Sequence, residues 1–263
     1  MAQMRHPAER DNPTAVVDRI AAIVNCVAEH GAPISIGEIS RRTGLPKSTT
    51  ARIVRSLLPH GLVEAQEEGY VLGLRFFELG EKASRPRNLR RLTYAHMVGL
   101  RHTTGLTVHL AVLDGSHVVY IEILRSRTTP MIPSRIGGRV PAHATALGKA
   151  MLGFSPPEVS ERLIASGLER LGPRTITDPD ALRAALWRVR SNGIAIEKEE
   201  SAPGVACIAA PILTEGHSGP IAALSVAGAL ADMDLEASER ALRETIDALR
   251  RQASALPHAS RTM

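Results

Sequence analysis

Apolar residues recur at helical spacing close to the N-terminus of the chain. Between Thr14 and His30 they fall every three or four residues, which predicts a helix with one apolar face. These apolar positions are Val17, Ile20, Ile23, Val24 and Val27. Gly31 follows directly and is typical of a helix C-terminus. The pattern predicts a first helix that packs against whatever follows it.

Two more short helices are predicted on either side of Gly44, a residue that accepts the positive φ of a tight turn. Ser35 and Glu38 have the spacing of a capping box at the start of the first of these helices. Pro46 suits the first position of the next helix, where no backbone N–H is needed. Helix, turn and helix therefore follow the first predicted helix.

One face of this third helix is basic. A rotation of about 100° per residue places Ser48, Arg52 and Arg55 together, and the opposite face is apolar apart from a threonine. That opposite face consists of Thr50, Ile53, Val54 and Leu57. The chain has no acidic residue between Glu38 and Glu64. Hydroxyls and arginines in a stretch without carboxylates suit a DNA major groove lined by phosphates and base edges.

A short hairpin is predicted after the third helix. The sequence LVEAQEEGYVLG reads as two strands around a polar turn at 66–69. Three helices and a hairpin indicate a winged helix-turn-helix domain over residues 13–75. The acidic pair Glu67 and Glu68 disfavours phosphate contact, so the wing is interpreted as mainly structural. The basic segment 76–91, interrupted by Pro86, is predicted to be a linker helix.

Residues 92–256 are predicted to form a second domain: a helix over 90–104 leads into it, and the pattern then changes from helical spacing to alternation with a period of two. Two strands, 107–113 and 117–124, flank the hairpin signal Asp114-Gly115. Further strands are predicted at 193–197, 207–213 and 221–227, and helices at 143–153, 157–166, 178–192 and 234–255. The segment 125–139 reads as irregular. The mixture predicts an α+β domain with a central antiparallel sheet covered by helices.

Composition limits the class of protein. The 263 residues suit two domains, and the net charge of +5 with a pI near 9.7 favours a polyanionic partner. Aromatic content of 3% argues against binding single strands by base stacking. Cys26 and Cys207 give no disulfide framework. With neither a long apolar run nor a signal peptide, the sequence predicts a cytoplasmic protein without membrane contact.

Five motifs resemble the IclR family of bacterial transcriptional regulators. They are GLPKSTTARIVRSL, YVLGLRFFELG, VPAHATALGKAML, IEKEESAPGVACIAAPI and AALSVAG, in the family's order and spacing. The resemblance implies a C-terminal effector-binding domain similar in fold to GAF and PAS sensors. It implies a homodimer or dimer of dimers that binds double-stranded operator DNA in response to a small molecule, commonly an organic acid. A repressor is expected rather than an activator.

The candidate site residues fall into two sets. The DNA-binding candidates are Ser35, Lys47, Ser48, Thr49, Arg52 and Arg55. Family effector positions map onto Ile132, Val140, Ala146, Leu147, Glu197, Cys207 and Ser225. The chain departs from the family at Ala227, where some members have a second serine. One fewer hydrogen-bond donor suggests a larger or less polar ligand, such as an aromatic acid.

Other chemistries have less support from the same residues. Gly148-Lys149 lacks the glycine spacing and the following Ser/Thr of a phosphate-binding loop, so Lys149 is interpreted as a structural or dimer-contact residue. A pairing of His143 with Cys207 would be needed for a nucleophile or a metal site, and nothing in the sequence supports one. No catalytic residue, metal or cofactor is expected. The alternative function is a small-molecule sensor or enzyme with a partner-binding winged helix.

Overall fold

The computed structural model describes residues 15–126, 134–214 and 218–255. The chain divides into two compact units between Ser84 and Arg85. Within the described ranges, no helix is long and apolar enough to cross a bilayer.

The N-terminal unit is a three-helix cluster with a hairpin. Its elements are α1 (Val16–His30), α2 (Ile36–Thr43), α3 (Lys47–Leu57), a 3₁₀ turn (Leu58–His60), β1 (Val63–Gln66), β2 (Gly69–Leu72) and α4 (Arg75–Lys82). Gly31 and Gly44 end α1 and α2 with φ of 70° and 71°. The predicted winged helix-turn-helix is confirmed, with Pro46 directly before α3 rather than inside it.

The capping box of α2 is only half formed. Ser35 Oγ accepts the Glu38 backbone N–H at 3.2 Å, as predicted. The Glu38 carboxylate does not return to Ser35, because it pairs with Arg41 and Arg42 at 2.6 and 2.7 Å. In the bonds to Arg41 and Arg42 both donor and acceptor are charged, whereas the backbone amide of Ser35 would offer the carboxylate a neutral donor.

The hairpin is tied to the helices through Ile34. Tyr70 and Ile34 exchange two backbone hydrogen bonds of 2.9 and 3.0 Å. Gly69 permits this approach, since a Cβ there would lie 2.6 Å from the Ile34 carbonyl. A continuous core beneath connects all three helices, including Ile23, Ile39, Val54 and Leu57. The wing is therefore part of the folded unit.

The C-terminal unit has a six-stranded sheet between two helical layers. Its elements are α5 (Ser84–Thr104), β3 (Thr107–Asp114), β4 (His117–Leu124), β5 (Arg139–Pro141), a 3₁₀ turn (Ala142–Ala144), α6 (Ala146–Phe154), α7 (Pro157–Ala165), α8 (Pro179–Asn192), β6 (Ala195–Lys198), β7 (Val205–Ile212), β8 (Ala222–Ala229) and α9 (Leu235–Ala255). The strand order is β5-β4-β3-β8-β7-β6, and every pairing is antiparallel. The predicted α+β fold is confirmed.

Two sequence expectations differ from the structure in detail. The short strand β5 lies at the end of the segment predicted to be irregular. The segment 76–91 covers most of α4 and the first turns of α5, and Pro86 lies at the start of α5. Proline is tolerated there because the first backbone N–H groups of a helix have no partner within the helix.

The two faces of the sheet bury different residues. Large apolar side chains face α5 and α9, among them Leu110, Ile208 and Leu224. The opposite face, under α6 and α8, carries small residues such as Ala111 and Ala209. This second face leaves room beside the first turn of α6.

Candidate functional site

The basic face of α3 is open to solvent. Lys47, Ser48, Arg52 and Arg55 are exposed, and Thr49 is half-buried. The opposite face is buried as the helical period predicts: Thr50, Ile53, Val54 and Leu57. Ser35 is also exposed, at the N-terminus of α2. The structure therefore brings five of the six DNA-binding candidates onto one helix.

Some arginines of the N-terminal unit form ion pairs with acidic side chains and others do not. Arg41 and Arg42 both bind Glu38, and their hydrogen bonds lower the pKa of that carboxyl to about 2. In the described part of the chain, Arg52 and Arg55 form no ion pair. The charges of Arg52 and Arg55 are therefore not neutralised by a described acidic side chain on the exposed face of α3.

A small cavity lies between the sheet and the start of α6. It is lined by His109, Tyr120, Thr145, Ala146, Leu147, Glu197, Ser201, Val205, Cys207, Ser225 and Ala227. Its volume is about 20 Å³, which is room for roughly one water molecule. Five of the effector candidates meet here: Ala146, Leu147, Glu197, Cys207 and Ser225. Val140, on β5, packs against the core and does not line the cavity. Ile132 lies outside the described residues.

Strand register explains the row of polar groups on the cavity wall. Glu197 on β6 is opposite Cys207 on β7. On the other side, Ser225 of β8 is opposite His109 of β3. Because side chains alternate along a strand, these inward positions share one face of the sheet.

The first turn of α6 forms the opposite wall. Thr145 caps the helix by accepting the Gly148 N–H at 2.9 Å. The first N–H groups of a helix have no intrahelical partner, and the positive end of the dipole lies there. Ala146 and Leu147 lie at this end of the helix and line the cavity, and such a terminus favours an anionic group over a cationic one.

His109 and Tyr120 are among the lining residues that sequence reasoning missed. The His109 ring lies 3.4 Å from Ser225 Oγ and 3.1 Å from Ser134 Oγ, and its centroid is 5.2 Å from that of Tyr120. Burial, with the charge of Arg125, lowers the pKa of His109 to about 3, so the ring is neutral. The signal was a histidine at an inward position of the apolar strand β3, in register with Ala111.

Glu197 is almost completely buried, with 1% of its surface exposed. Its Oε1 accepts the backbone N–H and the hydroxyl of Ser201 at 2.7 and 2.6 Å. Its Oε2 has no hydrogen-bond partner among the described residues. Burial raises the pKa of this carboxyl, although the bonds from Ser201 oppose the shift.

A second buried acid lies close by. Glu200 pairs with the buried amine of Lys149, which also donates to the Ile196 carbonyl at 2.9 Å. Lys149 therefore connects α6 to β6 and to the residues that follow it.

The cavity does not have the groups of a catalytic or metal site. Burial and the Glu197 charge raise the pKa of the Cys207 thiol, which is the opposite of nucleophile activation. His143 binds the Glu169 carbonyl at 2.9 Å and is not a lining residue. Across the ranges that the structure describes, no three His, Cys, Asp or Glu side chains are grouped to hold a metal ion.

Comparison with known proteins matches both units. Residues 16–67 match the IclR helix-turn-helix domain, and residues 82–257 match the bacterial transcriptional regulator IclR C-terminal domain. The HTH-type transcriptional regulator XynR of Escherichia coli is 33% identical over 213 residues, 80% of this chain and 84% of that protein. The transcriptional repressor IclR of Escherichia coli is 31% identical over 211 residues, 78% and 77% of the two chains.

A solved structure resembles most of the chain. It is an IclR homolog complexed with 4-hydroxybenzoate from Microbacterium hydrocarbonoxydans, 30% identical, covering 92% of this chain and 100% of that one with a TM-score of 0.85. The relatives are transcriptional regulators and not enzymes. With its winged helix-turn-helix and its C-terminal ligand-binding domain, this chain belongs to the IclR family of bacterial transcriptional regulators.

Proposed function

We propose that the protein is a repressor whose operator binding is modulated by a small organic acid, aromatic or aliphatic, bound in the cavity beside α6. The observation that carries this proposal is that the first turn of α6, at Ala146 and Leu147, lines the same cavity as a buried polar wall across from it. The helix terminus favours a carboxylate. Repression is proposed because one of the Escherichia coli relatives is named a transcriptional repressor.

An aromatic acid is a reasonable first ligand to test. The similar structure from Microbacterium hydrocarbonoxydans is of a protein complexed with 4-hydroxybenzoate. In this chain, Ala227 leaves one side of the cavity without a hydroxyl, and Tyr120 contributes an aromatic ring to the lining. Both features favour a flat, partly apolar acid.

We propose that the exposed face of α3 contacts the DNA major groove through Ser48, Thr49, Arg52 and Arg55. Lys47 and Ser35 would contact the phosphate backbone of the DNA. A homodimer or dimer of dimers would place two α3 helices on half-sites one helical turn apart, or a multiple of it.

The test of DNA binding uses the double variant Arg52→Ala/Arg55→Ala and the DNA upstream of the protein's own gene. Removing a good base contact costs roughly 1–3 kcal/mol, so the complex should weaken strongly in a gel-shift titration. Arg183→Ala, in the effector-binding domain, removes a surface arginine elsewhere and should bind as the parent does. Unchanged binding by the double variant would contradict the proposed DNA surface.

The test of the cavity uses calorimetry with 4-hydroxybenzoate and a panel of other small acids. Ser225→Ala and Cys207→Ala should weaken the binding of any acid that the parent protein binds, and both should leave ligand-free DNA binding intact. If neither variant changes the affinity, the ligand is bound elsewhere.

A further inference from the structure

The cavity as it stands is too small for the ligand that the proposed function requires. A volume of about 20 Å³ admits roughly one water, whereas ligand pockets typically occupy about 300–1,000 Å³. Some part of the wall must therefore move when a ligand enters. The question is which of the described lining segments is held by the fewest contacts.

Most of the wall is held on two sides. His109, Ser225 and Cys207 lie on strands β3, β8 and β7, and each of these strands is paired with a neighbour along both edges. Ala146 and Leu147 lie in the capped first turn of α6. None of these can open without breaking a strand ladder or a helix.

Glu197 lies on the edge strand β6, which is paired on one side only, but Lys149 donates to the Ile196 carbonyl of that strand. The least constrained part of the described wall is the connection between β6 and β7. Its first two residues are fixed: the Glu199 carbonyl accepts the Arg174 N–H at 3.1 Å, and the Glu200 carbonyl accepts the Thr175 hydroxyl at 2.6 Å. Lys149 further holds the Glu200 carboxylate. At the other end, the Gly204 carbonyl accepts the Leu230 N–H at 2.8 Å. The intervening residues, 201–203, are half-buried or exposed.

Residues 201–203 cover the cavity. Ser201 lines it, and Ala202 packs against Val205 and Ala227, two other lining residues. Their hold on the cavity wall is the pair of hydrogen bonds from Ser201 to Glu197 Oε1. Left-handed backbone directly follows the segment at Gly204, with φ of 70°, and also occurs two residues before it at Glu199, with φ of 57°. Glycine adopts that conformation at little cost, so Gly204 can serve as a pivot.

We propose that residues 201–203 are a flap over the effector cavity, that Ser201 and Glu197 form its latch, and that the ligand enters when these two hydrogen bonds break. The proposal rests on the proposed function for its ligand, since it states how that same site is opened. Glu197 is suited to the role because its carboxylate is buried and its second oxygen is unsatisfied among the described residues. A ligand donor can take the place of the Ser201 groups when the flap moves.

The experiment measures opening without any ligand. Cys207 lines the cavity under the flap, and Cys26 is buried in the winged helix-turn-helix unit. The full-length protein is alkylated with iodoacetamide, and the two cysteines are followed separately by peptide mass spectrometry. Cys26 then serves as an internal measure of opening in the other unit.

Ser201→Ala removes one of the two latch bonds and should speed Cys207 alkylation at least fivefold, with the Cys26 rate unchanged. The matched control is Ser166→Ala, which deletes a serine hydroxyl bonded to the Leu163 carbonyl at the end of α7. This control should leave Cys207 as slow as in the parent. Equal rates in Ser201→Ala and the parent, or the same acceleration in the control, would overturn the flap.

Hydrogen exchange on the parent protein tests the same point without a substitution. The amides of Ser201 and Ala202 should exchange at least tenfold faster than those of the β7 core, such as Ile208 and Ala209; Pro203 has no amide hydrogen. Exchange as slow as that of β7 would also overturn the proposal.

A separate experiment repeats the alkylation of the parent protein with 4-hydroxybenzoate and the acid panel. If no acid slows Cys207 alkylation, the proposed effector is wrong. The rates measured without ligand still decide whether the flap exists.

Discussion

Arg90 on α5 donates its Nε–H to the Glu122 carboxylate on β4 at 2.8 Å. A bulge in β4 makes this contact possible. Tyr120 is paired with Ala111 and Glu122 with Leu110, so Ile121 is the extra residue. Tyr120 lines the cavity and its neighbour Ile121 packs in the core beneath α5 and α9, as adjacent residues of a strand face opposite sides. The extra residue places Glu122, two positions after Tyr120, on the side of α5 as well. One short stretch of β4 therefore contacts both the cavity and α5.

Arg90→Ala should destabilise the effector-binding domain by about 1–3 kcal/mol, because it leaves the Glu122 carboxylate buried without its partner. Urea unfolding measures the change. Arg183→Ala is the matched control: both arginine side chains are 45% exposed, but the Arg183 partner Glu161 is 49% exposed and Glu122 only 8%. The control should lose less than about 1 kcal/mol. Equal losses in the two variants would show that the burial of Glu122 is unimportant.

The Arg90–Glu122 pair should contribute to the coupling between ligand binding in the cavity and operator binding. α5 follows α4 directly in the chain, so a change at Tyr120 can reach α5 through Ile121 and Glu122. With any acid that the parent protein binds, Glu122→Gln should retain ligand affinity but reduce the effect of ligand on operator binding, which in other systems is about 1–3 kcal/mol. Paired gel-shift titrations with and without ligand measure this difference. An undiminished ligand effect in Glu122→Gln would exclude this route.

Glu197→Gln should stabilise the protein at neutral pH. Burial raises the pKa of Glu197 above its ordinary value of 4.5, so above that pH the folded protein holds a proton that the unfolded chain releases. Stability from this group therefore falls as pH rises through 4.5 and the folded pKa. The amide cannot ionise, so the advantage of the variant should grow from pH 4.5 upward. Urea unfolding from pH 4.5 to 8 checks this, and a pH-independent difference would contradict it.

The contribution of His109 to stability changes with pH in the opposite direction to that of Glu197. The pKa of His109 is lowered from 6.5 to about 3 by burial, so below pH 6.5 the unfolded chain binds a proton that the folded protein does not. This contribution to stability is present above pH 6.5 and is lost as pH falls toward 3. In nitrogen-15 NMR spectra the His109 ring should remain neutral from pH 5 to 8. A titration midpoint above pH 5 would contradict the burial of this ring.

The sequence predicts the exposed surface of α3 more completely than it predicts the lining of the cavity. The α3 surface could be read from sequence because it lies on one helix: a 3.6-residue period separates Arg52 from Ile53 without any knowledge of the rest of the fold. The cavity gathers residues from β3, β4, β6, β7 and β8, and their proximity depends on strand register. Family resemblance supplied Glu197 and Cys207 because they lie in a motif. His109 and Ser201 carry no such mark, since a histidine in a strand or a serine in a loop is ordinary until its neighbours are known.

Lys47→Ala should weaken DNA binding without changing which sequence is preferred. Lys47 is the first residue of α3 and is exposed, a position suited to a phosphate rather than to a base edge. The affinity for DNA falls as salt rises, and removing one phosphate contact makes the slope of log K against log salt less negative by about 0.9. The change should be the same on operator and random DNA. Fluorescence anisotropy on both DNAs between about 50 and 200 mM salt measures the slopes. Arg52→Ala should instead narrow the gap between operator and random DNA, because the removal of a base contact affects only the specific complex. If Lys47→Ala weakens binding to the operator but not to random DNA, Lys47 contacts a base. The proposed assignment of Lys47 to a phosphate would then be wrong.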